Sequence, residues 1–128
     1  MSHLVGLRLE QHRIDDSTAI IDFHGELDNY TASRAKETLR AWLDEGYLHL
    51  ILNLRCLDFI DSTGLSVLIS TVRRAHELHG TIRMVSPVYH VRRIFEITRL
   101  TLAFPIDASS EEALASIRRA TAQQQAAA

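Results

Sequence analysis

The chain lacks most of the features that announce an activity. Cys56 is its one cysteine, which excludes an intramolecular disulfide framework and fits a reducing compartment. No apolar run approaches the roughly 18–20 residues that span a bilayer. The opening Met1-Ser2-His3-Leu4-Val5-Gly6 has neither the basic start nor the apolar core of a secretory signal, so a cytoplasmic domain is expected. Charge of one sign is also missing. A formal net charge of −2 gives no general reason to expect nucleic acid or a membrane surface as partner. There is no Walker phosphate loop and no glycine fingerprint for a dinucleotide. His76 and His79 lie on one helical face without a third ligand nearby in sequence, so they read as surface histidines. No catalytic residue, metal or cofactor is expected.

What is present is 46% apolar content over 128 residues, enough for one compact domain and too short for two ordinary ones. Val5, Leu7 and Leu9 alternate with polar residues as a half-buried strand does, and Asp15-Asp16-Ser17 turns the chain into a second strand, Thr18 to His24, closed by Gly25. From about Thr31 the period becomes helical: Ala32, Ala35, Leu39, Trp42 and Leu43 share a face that ends at Gly46. Leu48 to Leu54 is almost continuously apolar, as a strand covered on both faces is. A helix follows from about Ser62 to His79, ended by Gly80, then a short strand from Thr81 to Val85. Ser86-Pro87 predicts the start of another helix, whose inner face is Val88, Val91, Ile94 and Phe95. Leu102 to Ile106 reads as a last strand, placed at the sheet edge by Pro105. Ser109 and Glu112 form a capping box before a final helix that buries Ala113, Leu114 and Ile117. The expected organisation is one α/β domain over residues 1–120, a small mixed and mostly parallel sheet with packed helices, followed by a disordered tail over 121–128.

Loops at the carboxyl ends of parallel strands gather along one edge, where such domains place their sites. That brings the loop from Gly25 to Asn29 beside the loop from Cys56 to Asp61. Just after the second comes Asp61-Ser62-Thr63-Gly64-Leu65, where a strand has ended and an amphipathic helix begins. Helix-start N–H groups are unpaired and carry about half a positive charge, so Ser62 stands where an added phosphate is favoured. A hydrolase reading of Ser62 fails, since no nucleophile-elbow pattern surrounds it and no histidine is placed by the sequence as its base. A receiver domain would need a paired acidic cluster after its first strand, and the opening hairpin argues against it. Cys56 reads as a small residue after the strand, and Arg92, Arg93 and Arg99 as a solvated basic stripe.

Three segments in order, GELDNYTA (Gly25 to Ala32), LRCLDFIDSTGLSVLI (Leu54 to Ile69) and RRIFEITRL (Arg92 to Leu100), resemble the bacterial anti-sigma factor antagonists of the STAS-domain family. The resemblance extends over about residues 5 to 118. It implies a STAS-like fold and a switch in partner binding. The unphosphorylated antagonist binds an anti-sigma factor that is itself an ATP-dependent serine kinase, freeing a sigma factor for transcription. Phosphorylation of the serine after the motif's Asp, here Ser62 with Thr63 as the fallback, dissolves the complex, and a metal-dependent serine phosphatase resets it. Gly25, Glu26 and Asp28 of the first segment, with Asp61, Ser62, Thr63, Gly64 and Ser66 of the second, are then the expected partner-binding surface. Gly64 is expected to keep the backbone beside Ser62 accessible. A monomer that touches neither nucleic acid nor membrane is expected. The alternative is a STAS accessory module that binds a nucleotide- or lipid-system component constitutively.

The chain departs from the family pattern at three places. Ser66 stands where many relatives carry Gly, adding a side chain one turn beyond Ser62. Arg99 replaces a common Gly, which questions the helix end because Arg tolerates positive φ less well. Ser33 replaces a common Pro at a helix start, where either is acceptable. These bear on which partner binds. A phosphate on Ser62 is expected among Asp28, Asp58 and Asp61, with little change in the domain's own fold.

Overall fold

The computed structural model describes residues 6–102 and 105–127. Strand β1 (Leu7–Arg13) and strand β2 (Thr18–Leu27) pair antiparallel, Leu7 opposite Gly25 and Arg13 opposite Ala19. Asp15 organises the turn between them: its Oδ1 accepts from the Ser17 amide at 3.0 Å. Leu7 and Leu9 pack on the core as their alternation requires, while Val5 lies outside the described residues.

Helix and strand then alternate: α1 (Ala32–Asp44), β3 (His49–Ile60), α2 (Ser62–Glu77), β4 (Thr81–Val85), α3 (Tyr89–Ile97), β5 (Ile106–Asp107) and α4 (Ser110–Ala127). Among the described residues the strands form one sheet in the order β1-β2-β3-β4-β5, antiparallel at the hairpin and parallel beyond it. This is the expected mixed, mostly parallel α/β sheet. Each crossover steps one strand in the same direction, and the right-handed rule for such connections puts α1, α2 and α3 on one face. The packing agrees, since Phe23, Leu39, Leu52, Leu68, Met84 and Phe95 share one buried cluster. Alternate strand positions point the other way: Ile20, Ile51 and Val85 meet Ala113, Leu114 and Ile117 of α4. On that second face the hairpin side carries polar residues instead, among them Glu10, His12, Asp22 and His24, and none of these is fully buried.

Several boundaries differ from the sequence expectation. Gly25 does not close β2. The strand runs on to Leu27, pairing Gly25 with Leu57, Glu26 with Phe59 and Leu27 with Ile60. Gly25 has φ +114°, and a Cβ there would lie 2.1 Å from the Gly6 carbonyl oxygen, so glycine lets the start of β1 pass close by. The segment from Cys56 to Ile60, expected as loop, is the end of β3. Register shifts against β2 leave Arg55-Cys56 and Asp58-Phe59 exposed in pairs while Leu57 and Ile60 stay buried, which breaks the alternation that marks a strand. At the end of α2 the left-handed residue is His79 (φ 62°), not Gly80; Gly80 is there because a Cβ would meet the Leu48 carbonyl oxygen at 2.1 Å.

Ser86 does not cap α3, which starts at Tyr89. Instead it takes φ 54° and its hydroxyl donates to the Ala108 carbonyl at 3.1 Å, tying the chain to the approach to α4. Leu102 belongs to a 3-10 turn (Leu100–Leu102), and the last strand is only Ile106–Asp107, at the sheet edge as Pro105 required. Arg83 holds it with a two-point fork onto Asp107, at 2.6 and 3.1 Å. The capping box forms with a variation: the Glu112 amide donates to Ser109 Oγ at 3.1 Å, while Glu112 Oε2 accepts from Ala108, one residue before the cap. Helix α4 continues through Ala127, and from Ala122 to Ala126 its side chains are exposed.

Candidate functional site

Segment 25–29 and segment 56–61 are neighbours, as expected, although much of both is strand. Asp61 joins them. It is the N-cap of α2, extended in its backbone, and its Oδ1 accepts from the Gly64 amide at 2.9 Å. Its Oδ2 accepts from the Asn29 amide at 3.0 Å, and its own amide donates to the Leu27 carbonyl at 3.3 Å. One carboxylate thus pins a helix start to the loop beside it. Ser62 follows as the first residue of α2, exposed at the edge of the domain, with exposed Thr63 next to it.

Gly64 is buried and does not open the backbone to a partner. A Cβ there would stand 2.2 Å from the Leu27 carbonyl oxygen and 2.9 Å from the Ile60 side chain. Its lack of a side chain lets α2 seat against the ends of β2 and β3, which fixes where Ser62 is carried. Ser66 is exposed, and its hydroxyl donates to the Ser62 carbonyl at 3.0 Å.

Asp28 faces inward. Its Oδ1 accepts from the Tyr30 amide at 2.9 Å and the Thr31 amide at 3.1 Å. Thr31 Oγ1 in turn donates to the Glu26 carbonyl at 2.8 Å, so Glu26, Asp28 and Thr31 lock the loop that leads into α1. Asp58 is exposed on β3, and its carbonyl accepts from His90 Nε2, bringing the start of α3 to the same edge. Cys56 is exposed within β3. Arg92, Arg93 and Arg99 are exposed, Arg93 pairing with Glu96 at 3.5 Å.

Sequence reasoning missed three exposed large side chains. Tyr30 is 93% exposed, Tyr89 76% and Phe59 45%. Each lies one or two residues from a group already tied to this edge: Asn29, His90 and Asp61 respectively. Tyr30 in an acidic loop was the available signal, since a large ring there has no core to join. Beside Thr63 a groove of about 180 Å³ opens between α1 and α2, lined by Ala32, Ser33, Lys36, Thr63, Ser66 and Val67. Two of the positions that depart from the family pattern, Ser33 and Ser66, therefore line the same groove.

His76 and His79 sit at the opposite end of the strands, lining a pocket with His49. Burial pushes the His49 pKa down, against a smaller upward pull from Asp15. Among the described residues no helix is long and apolar enough to cross a membrane.

Comparison with known proteins gives a consistent picture. The STAS domain family model matches residues 11–113. BtrV of Bordetella bronchiseptica is 29% identical over 114 residues, spanning 89% of this chain and 97% of that protein. The anti-sigma-B factor antagonist of Staphylococcus aureus is 30% identical over 76 residues, 59% of this chain and 70% of that one. In fold, the chain is similar to the anti-sigma factor antagonist SpoIIAA in its unphosphorylated form, with a TM-score of 0.76 and 22% identity over 87% of this chain and 96% of that chain.

Proposed function

The chain belongs to the STAS domain family, and from that premise we propose that it is an anti-sigma factor antagonist switched off by phosphorylation of Ser62. The observation that carries this is the placement of Ser62: exposed, first in α2, on a turn fixed by the two hydrogen bonds that Asp61 accepts. A hydroxyl held this way can be presented in line to a γ-phosphate without the domain rearranging. The partner is an anti-sigma factor with serine kinase activity. It supplies the metal, the nucleotide and the base that takes the hydroxyl proton; Ser62 Oγ bonds to the γ-phosphorus and ADP leaves. A metal-dependent serine phosphatase returns the hydroxyl. Tyr30, Phe59 and Tyr89 give the unmodified surface apolar area to bury against the partner, and the groove beside Thr63 and Ser66 adjoins it.

Phosphorylation places about −1.5 to −2 of charge next to Asp61. The helix start tolerates it, but a partner face fitted to a neutral serine does not. A loss of roughly 3–4 kcal/mol weakens binding several-hundredfold. The test is partner capture and affinity measurement with Ser62→Ala and Ser62→Asp, alongside mass mapping of the phosphate. Ser62→Ala should bind as wild type does and refuse phosphate, and Ser62→Asp should lose the partner. Equal binding by both variants would leave a constitutive partner-binding module.

A further inference from the structure

On the face of the sheet away from α1, α2 and α3, the β1–β2 hairpin carries a cluster unrelated to Ser62. Glu10 pairs with Asp22 across the hairpin, while His12 and His24 lie two residues along each strand. Period-2 alternation turns all four side chains to the same face. Glu10, His12 and Asp22 each bring a ligand atom within 4.8 Å of the other two. His12 Nε2 lies 2.8 Å from Asp22 Oδ2, and His24 Nε2 lies 2.9 Å from Glu10 Oε1.

The two contacts differ in kind. The His12–Asp22 contact is an aligned hydrogen bond. The His24–Glu10 contact is not: His24 Nε2 is shut off from solvent and has no hydrogen-bond partner despite the short distance. His24 thus stands beside Glu10, outside the three ligand atoms that converge. The carboxylates are also set from behind. Asn53 Nδ2 donates to Asp22 Oδ1 at 2.9 Å, and Arg8 Nη1 lies 3.4 Å from Glu10 Oε2. The Asn53 bond leaves Asp22 Oδ2 toward His12, which is how outer groups orient metal ligands.

We propose that Glu10, His12 and Asp22 form a divalent metal site of the zinc class on the outer face of the β1–β2 hairpin. One imidazole nitrogen and two carboxylate oxygens, with water in the fourth position, are a donor set zinc accepts, at about 2.0–2.2 Å each, and the imidazole suits it better than calcium or magnesium, which take oxygen ligands. Arg8 beside Glu10 offsets part of the carboxylate charge, so the site is a moderate binder. A bound ion would staple the edge strand β1 to β2, which backbone pairing otherwise joins. This site is independent of the switch at Ser62.

The test is calorimetric titration of the full chain with zinc chloride, comparing wild type with His12→Ala and with His76→Ala/His79→Ala. Wild type and the second variant should bind one ion alike, and the first should bind at least tenfold more weakly. At zinc a hundredfold above its dissociation constant, the wild-type Tm should rise by about 5 °C or more. Imidazole NMR of wild type needs no variant: the His12 ring should shift in step with one equivalent of zinc. Absence of binding at millimolar zinc, undiminished binding by His12→Ala, or shifts confined to His49, His76 and His79 would each overturn the site.

Discussion

From Gly25 to Gly64 the backbone positions with unusual demands are filled by glycine; from His79 to Arg99 those with left-handed backbone are filled by residues with side chains. Gly25 and Gly46 take φ +114° and +112°, and Gly64 lies where any Cβ would strike the Leu27 carbonyl. His79, Ser86 and Arg99 take φ of 62°, 54° and 61°. A left-handed residue with a Cβ costs about 1–2 kcal/mol, so the second stretch holds strain that the first avoids. The first stretch is also the one that carries the loop from Asp28 to Thr31 and delivers Ser62. Its unstrained frame holds the start of α2, and with it Ser62, in one place. The second stretch contains α3, whose N-cap Val88 makes no side-chain capping bond, whereas α2 has Asp61.

The largest effect is expected at Gly64. Gly64→Ala puts a methyl 2.2 Å from backbone oxygen, which α2 can relieve only by lifting off β2 and β3. A loss of about 3 kcal/mol, or roughly 10 °C in Tm, should follow. A Tm within about 2 °C of wild type would mean that the helix start has slack, and the contrast between the two stretches would collapse. Next comes Asp61. Asp61→Ala removes both the α2 cap and the tie to Asn29, for about 1–2 kcal/mol by urea unfolding. Asp61→Asn keeps an oxygen for the cap and should lose only a few tenths. Amide exchange at Asn29 and Gly64 reports the same loosening directly, and should quicken in Asp61→Ala far more than at the hairpin amides.

The contrast also explains what could be read in advance. The order of strands and helices follows from periodicity, because Leu48 to Leu54 and the α2 face at Leu65, Leu68, Val72 and Ala75 each bury the side that their spacing predicts. Ser62 was legible for the same reason, since an acidic cap before an amphipathic run marks a helix start. The end of β3 was not, because its exposed pairs at Arg55-Cys56 and Asp58-Phe59 come from register shifts set by β2. The roles of Gly25 and Gly64 depend on Gly6 and Leu27, which are close in space and distant along the chain. Ser86-Pro87 has the chemistry of a helix start, yet Ser86 is claimed by the Ala108 carbonyl. The cluster of Glu10, His12 and Asp22 is split across two strands, and hairpin pairing is what assembles it.

The smallest effect is the most direct measure of the strain itself. Arg99 follows the C-cap of α3, its amide donating to the Glu96 carbonyl at 3.1 Å, and its side chain is exposed. Arg99→Gly relieves about 1–2 kcal/mol of left-handed strain but gives back about 0.5–1 through the looser unfolded chain, so a net gain near 0.5 kcal/mol is expected. Gly46→Ala is its mirror: nothing lies within 4 Å of a Cβ there, so only the positive φ is charged, and about 1 kcal/mol should be lost. Opposite signs in the two chemical denaturation curves, at unchanged m value, would establish that backbone handedness separates the stretches. If Arg99→Gly also destabilises, the arginine stem is packing on α3 more than its exposure suggests, and the second stretch is no more strained than the first.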